Sequence, residues 1–128
     1  AYTVIGGRAP AYCTASGKAL LAWQPSDTVR AVAAEIRRLT RATVADHAAL
    51  AKDLAAVRNA GYAINLGEFR DNVAGLAAPI VARGGDVIAA VGISGPLDRL
   101  RPRKIKALAP VVVQAAEAIA RAMAAPRP

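Results

Sequence analysis

The chain is poor in several residue types, and each shortage excludes something. One cysteine rules out a disulfide scaffold and a cysteine-rich zinc site, and it is compatible with a reducing compartment. One histidine, at position 47, leaves little for metal ligation or for a catalytic pair. Aromatic residues are only 4% of the sequence, so a core must be built from methyl groups with few large anchors. Acidic residues are outnumbered, 9 against 17 Lys and Arg, giving a net charge of +8. Such an excess attracts polyanions in general and does not define a fold. No apolar run of ~18 residues is uninterrupted, so no membrane span is expected. Arg83-Gly84-Gly85-Asp86, Gln114 and Glu117 break the longest candidates.

What is present is a hydrophobic content of 55%, much of it alanine, in 128 residues. That is too apolar for intrinsic disorder and is the length of one domain, residues 1–128. The chain does not begin with Met, and no signal-peptide pattern is seen. Tyr2-Thr3-Val4-Ile5 is a short β-prone run ended by Gly6-Gly7. Ala19–Trp23 reads as a short helix stopped by Pro25, and Ser26 as the N-cap of a second helix reaching Leu39. Val29, Val32, Ile36 and Leu39 would form its apolar stripe. A third helix, from Asp46 to Asn59, has Leu50, Leu54 and Val57 as its stripe and Gly61 as its left-handed stop.

The period then changes. Tyr62–Phe69 alternates, with Tyr62, Ile64 and Leu66 on one side and Asn65 on the other. Val73–Ala82 and Val87–Ser94 read as a hairpin around Arg83-Gly84-Gly85-Asp86. The alanines and glycines in these strands require something to pack closely on the sheet. Pro102–Ala124 is helical, with Ile105, Leu108, Val112, Ala116, Ile119 and Met123 as its stripe and Pro110 as a kink. Strand, three helices, three strands and a helix together make an α+β fold with a mainly antiparallel sheet.

Three features could carry function. Thr14-Ala15-Ser16-Gly17 precedes a helix, and its small side chains leave backbone N–H groups open to a carboxylate or phosphate. The same residues also serve as a plain tight turn. Asn65, Glu68, Gly75, Gly92 and Ser94 are polar or tiny positions on apolar strands, fit for a ligand pocket or for edge and turn chemistry. Arg99, Arg101, Arg103, Lys104 and Lys106 could meet phosphates, but no aromatic interleaves them and a solvated helix face explains them as well. Cys13 lies at a helix start that could lower its pKa, but it has no evident His partner. With no Walker loop, paired carboxylates or ligand cluster, the sequence reads as a non-enzyme without a cofactor or metal.

An ordered series of motifs resembles the effector-binding domain of IclR-type bacterial transcriptional regulators. It begins with Pro10-x-Tyr12-Cys13-Thr14-Ala15-x-Gly17-Lys18-Ala19-Leu20-Leu21-Ala22. Leu39-Thr40-x-x-Thr43, Val57-Arg58-x-x-Gly61-Tyr62-Ala63 and Glu68 follow. Gly75-Leu76-Ala77-Ala78-Pro79-Ile80, then Ala89–Pro96, Arg99-Leu100 and Leu108-Ala109-Pro110, complete it across nearly the whole chain. The resemblance implies a GAF-like fold, an antiparallel sheet flanked by helices, here N-terminally truncated. It implies no catalysis and a cytoplasmic protein. Small organic or aromatic acids would be the effectors, and dimers or tetramers the assembly. Operator DNA would be bound only through a winged helix-turn-helix that is not in this sequence.

Carried over by residue, the family pocket falls on the backbone amides of Ala15 and Ser16, beside Gly17, and on Asn65, Gly75, Gly92 and Ser94. Ser94 keeps the family type. Asn65 replaces a commonly acidic residue, and the two glycines replace small polar ones. Fewer side-chain hydrogen bonds and more space would then disfavour an acid as small as glyoxylate and favour a larger or more apolar carboxylate. Two other readings stay open: a basic domain that touches nucleic acid or another polyanion directly, and a degenerate module that only oligomerises. An exposed sheet edge would in any case promote self-association.

Overall fold

The computed structural model describes residues 4–126. Ala1–Thr3 of the expected first strand lie outside the described residues. Val4 has no regular structure and Ile5-Gly6 form a turn closed by the Gly7 amide donating to the Val4 carbonyl at 2.8 Å. No strand therefore forms at Val4-Ile5.

A short 3-10 turn, Ala11–Cys13, leads into α1 (Ala15–Leu21). This helix starts earlier than its apolar run suggests, because the Thr14 hydroxyl caps it, accepting from the Gly17 amide at 3.1 Å. Next, α2 (Ser26–Ala33) begins with Ser26 as its first helical residue, not its cap, and no side chain caps it. It stops well before Leu39, which is exposed, and Ile36 is only half-buried. The segment beyond is held by another means: the Tyr12 hydroxyl accepts from the Arg37 amide at 3.0 Å and donates to its carbonyl. In α3 (His47–Ala60), Asp46 caps the start and Gly61 ends it with a φ of 83°. Its Leu50, Leu54 and Val57 are buried as the spacing requires, and each large side chain contributes ~2 kcal/mol by leaving water.

Strands β1 (Ala63–Leu66), β2 (Val73–Val81) and β3 (Val87–Pro96) form one antiparallel sheet in that order. The first is shorter than the alternating run, because Gly67 turns the chain with a φ of 68°. Alternation sorts β2 cleanly. Ala74, Leu76, Ala78 and Ile80 pack beneath α4 (Pro102–Ala124), together with Ile105, Ala109, Val112 and Ala116. Ala77 and Ala63 join the opposite cluster, built from α1, α2 and α3. The helix stripe is buried only in its first two-thirds. Ile119 and Met123 are exposed. Pro110 lies inside the helix, which continues through it as one element. By length and composition α4 could cross a bilayer. Here one side of it covers the sheet.

Candidate functional site

The face of the sheet turned toward α1 carries the site. Register places Asn65 opposite Gly75, and Gly75 opposite Ser94, so three of the expected pocket residues form one row across all three strands. Above the row sits the first turn of α1. Between them lies a cavity of about 380 Å³ whose lining includes Thr14, Ala15, Ser16, Gly75, Gly92 and Ser94. Apolar walls come from Val4, Phe69, Val73 and Ile93. Gly17 and Asn65 are not part of the lining. The Gly17 amide is already engaged by Thr14, which leaves the Ala15 and Ser16 amides at the helix start. Asn65 is buried, and its Oδ1 accepts from the Glu68 amide at 2.8 Å.

The two glycines, both in the cavity lining, differ in the space around them. A Cβ on Gly75 would meet the Ala15 Cβ and the Ile93 carbonyl oxygen at 3.4 Å, an ordinary contact distance. A Cβ on Gly92 would overlap the Leu76 carbonyl oxygen and the Ala77 side chain. Room for a ligand comes from the gap bounded by Phe69, Val73 and Ile93.

Behind this wall lies the main feature that sequence reasoning missed. Lys18 is 1% exposed, and its ammonium is enclosed by carboxylates. It donates to Asp53 Oδ2 at 3.0 Å, to both Glu68 oxygens at 2.9 and 3.0 Å, and to the Ile64 carbonyl. A buried ammonium is tolerated only when so compensated. One signal was available. Ala15, Lys18, Ala19 and Ala22 fall at i, i+3, i+4 and i+7, so the lysine interrupts an otherwise small, buried stripe.

The loop after β1 is tied down from several sides. Thr43 donates to the Glu68 carbonyl at 2.6 Å, Thr40 donates to the Gly67 carbonyl, and the Val73 amide donates to the Arg70 carbonyl at 3.1 Å. Burial raises the Glu68 carboxyl above the usual glutamate range, and the Lys18 charge only partly reverses it. Cys13, expected to be acidified at a helix start, shows the opposite. Burial, aided by the Glu68 charge, pushes its thiol up to about 11. His47 is exposed, as are Arg99, Arg101, Arg103, Lys104 and Lys106. No group of His, Cys, Asp and Glu suited to a metal ion occurs among the described residues.

A partly open gap of mixed polar and apolar lining, roofed by a helix start and floored by an antiparallel sheet, gives this α+β domain a concave site of the size small ligands occupy. The family described as bacterial transcriptional regulator IclR C-terminal matches residues 1–121. The transcriptional regulator KdgR of Escherichia coli is 35% identical over 124 residues, which cover 95% of this chain and 47% of that protein. The crystal structure of a transcriptional regulator from Rhodococcus sp. RHA1 superposes with a TM-score of 0.88 at 33% identity, over 97% of this chain and 52% of the other. The inducer-binding domain of PobR from Acinetobacter, crystallised with 3-hydroxybenzoic acid as a double mutant, gives 0.82 at 27% identity, over 90% and 67%. This chain belongs to the IclR family and represents its C-terminal domain. The family consists of transcriptional regulators, not enzymes. The chain spans about half the length of the curated relatives it matches.

Proposed function

We propose that residues 1–128 act as one sensory domain that binds a small organic or aromatic acid and passes its occupancy to operator DNA. The carrying observation is the cavity between the α1 start and the Gly75–Ser94 row, whose lining includes Ala15, Ser16, Gly75, Gly92 and Ser94. The acid's carboxylate would accept from the Ala15 and Ser16 amides, with the Ser16 and Ser94 hydroxyls at hand; the Thr14 hydroxyl is committed to the Pro10 carbonyl. Its apolar body would lie against Phe69, Val73 and Ile93. A cavity of about 380 Å³ suits a benzoate-sized acid better than a two-carbon one. The relative crystallised with 3-hydroxybenzoic acid supports that size class.

DNA contact would belong to a winged helix-turn-helix outside these residues, in a cytoplasmic regulator. Dimers or tetramers would transmit the signal, since a ligand acts only through its different affinities for two states. Exposed apolar residues on the sheet edge and on α4, such as Ile88, Val111 and Met123, favour such assembly.

The test is a thermal-shift and calorimetric screen of organic acids with the chain. A benzoate-class acid should raise Tm, and duplex DNA at physiological salt should not bind. Tight, salt-sensitive DNA binding without any acid response would favour the basic-surface reading instead. A stable oligomer indifferent to every acid would leave only an assembly role.

A further inference from the structure

We propose that Arg8 and Arg70 form a second anion-reading end of this cavity, so that the preferred ligand is a diacid: two acidic groups on an apolar body. The inference rests on the acid-binding reading above and narrows it to a ligand class. Arg8 and Arg70 are the charged side chains of the lining, which contains no carboxylate. Neither forms an ion pair among the described residues, where Lys18 takes both salt bridges. Arg8 and Arg70 are both exposed at the cavity, and one carboxylate at the helix start would balance only one of their two charges. A second acidic group matches them, and the planar fork of Arg suits a carboxylate.

Arg70 is also held in place before any ligand arrives. Its guanidinium lies 5.3 Å from the Phe69 ring centroid. Its backbone follows Glu68, which Lys18 grips at 2.9 Å, and its own carbonyl is bonded by the Val73 amide. The Thr43 hydroxyl and the Asn65 side chain fix the same loop. With the backbone fixed at both ends, the ordering cost of binding falls on the exposed Arg70 side chain alone. Asn65 and Glu68 are therefore positioning residues for Arg70. The exposed cations at the start of α4, Arg103, Lys104 and Lys106, are absent from this cavity.

Matched pairs of acids test the proposal: benzoate against isophthalate, and hexanoate against adipate, by calorimetry on the chain and on Arg70→Gln and Arg8→Gln. The expected preference for the diacid is about tenfold at low salt, as for one charge-assisted hydrogen-bonded pair. It should shrink as NaCl is added. Arg70→Gln should remove most of that preference by weakening the diacid far more than its monoacid, and Arg70→Lys should restore part of it. Monoacids that bind as tightly as their diacids would overturn the diacid proposal and leave the acid-sensing function standing. So would an Arg70→Gln variant that weakens both members of a pair equally. If no acid of either kind binds, both readings fall together.

Discussion

The two faces of the sheet are built differently from the same alternating strands. Under α4, Leu76, Ala78 and Ile80 meet Ile105, Ala109 and Val112, and the contact is methyl against methyl. Under α1, the strands carry Asn65, Gly75 and Ser94, a buried lysine and two carboxylates lie alongside, and a cavity remains. The first face can serve stability alone. The second has buried polar groups that must be satisfied and a gap left unfilled, so part of its packing is given up, as the proposed recognition role requires.

Substitutions on either side can break or sharpen that contrast. The largest effect is expected from Lys18→Met, which leaves Glu68 and Asp53 without their cation. Removing one partner of a buried pair costs about 4 kcal/mol. A urea unfolding curve should show that loss, and calorimetry should show weakened acid binding, because the loop bearing Phe69 and Arg70 loses its anchor. Ile105→Ala, on the opposite face, removes a fully buried side chain and should cost about 3 kcal/mol. Acid affinity of its folded form should be unchanged. Equal effects of the two variants on binding would erase the distinction between the faces.

A smaller effect concerns pH. The ordinary value for Glu68 is 4.5, and burial raises it in the folded protein. The folded state thus holds this proton more tightly than the unfolded chain does. The stability contributed by this group is complete below pH 4.5 and is lost as pH rises through the higher folded value. Urea midpoints should therefore fall less steeply above pH 4.5 in Glu68→Gln than in the parent. An unchanged slope would show that Lys18 compensates the carboxylate fully.

The same contrast explains what could be read in advance. The α4 face was legible because hydrophobic spacing is a local signal: Ile105, Val112 and Ala116 fall on one helical stripe, and all three are buried. The third helix was legible for the same reason, with Asp46 and Gly61 marking its ends. The hairpin followed from its glycine turn. On the α1 face the bonds are nonlocal. Lys18 and Glu68 are 50 positions apart, and Tyr12 and Arg37 are 25 apart, so no window of sequence contains either pair. The second helix was read too long because Ile36 and Leu39 keep helical phase, although Tyr12 pins the backbone at Arg37 in another conformation. Pocket positions came from resemblance, which named Asn65 and Glu68 but not their bonds within and onto the loop that carries Arg70.

Acid binding on the α1 face is most directly measured by amide chemical shifts of the labelled chain titrated with isophthalate. Saturating changes should appear at Ala15, Ser16, Gly75, Ser94 and Arg70, with residues of the α4 face such as Ile105 and Val112 unmoved. A second cavity, lined by Leu66, Asp71, Asn72, Leu97 and Arg101, provides the contrary outcome. Shifts concentrated there, with Ala15 and Ser16 silent, would contradict the assignment of recognition to the α1 face.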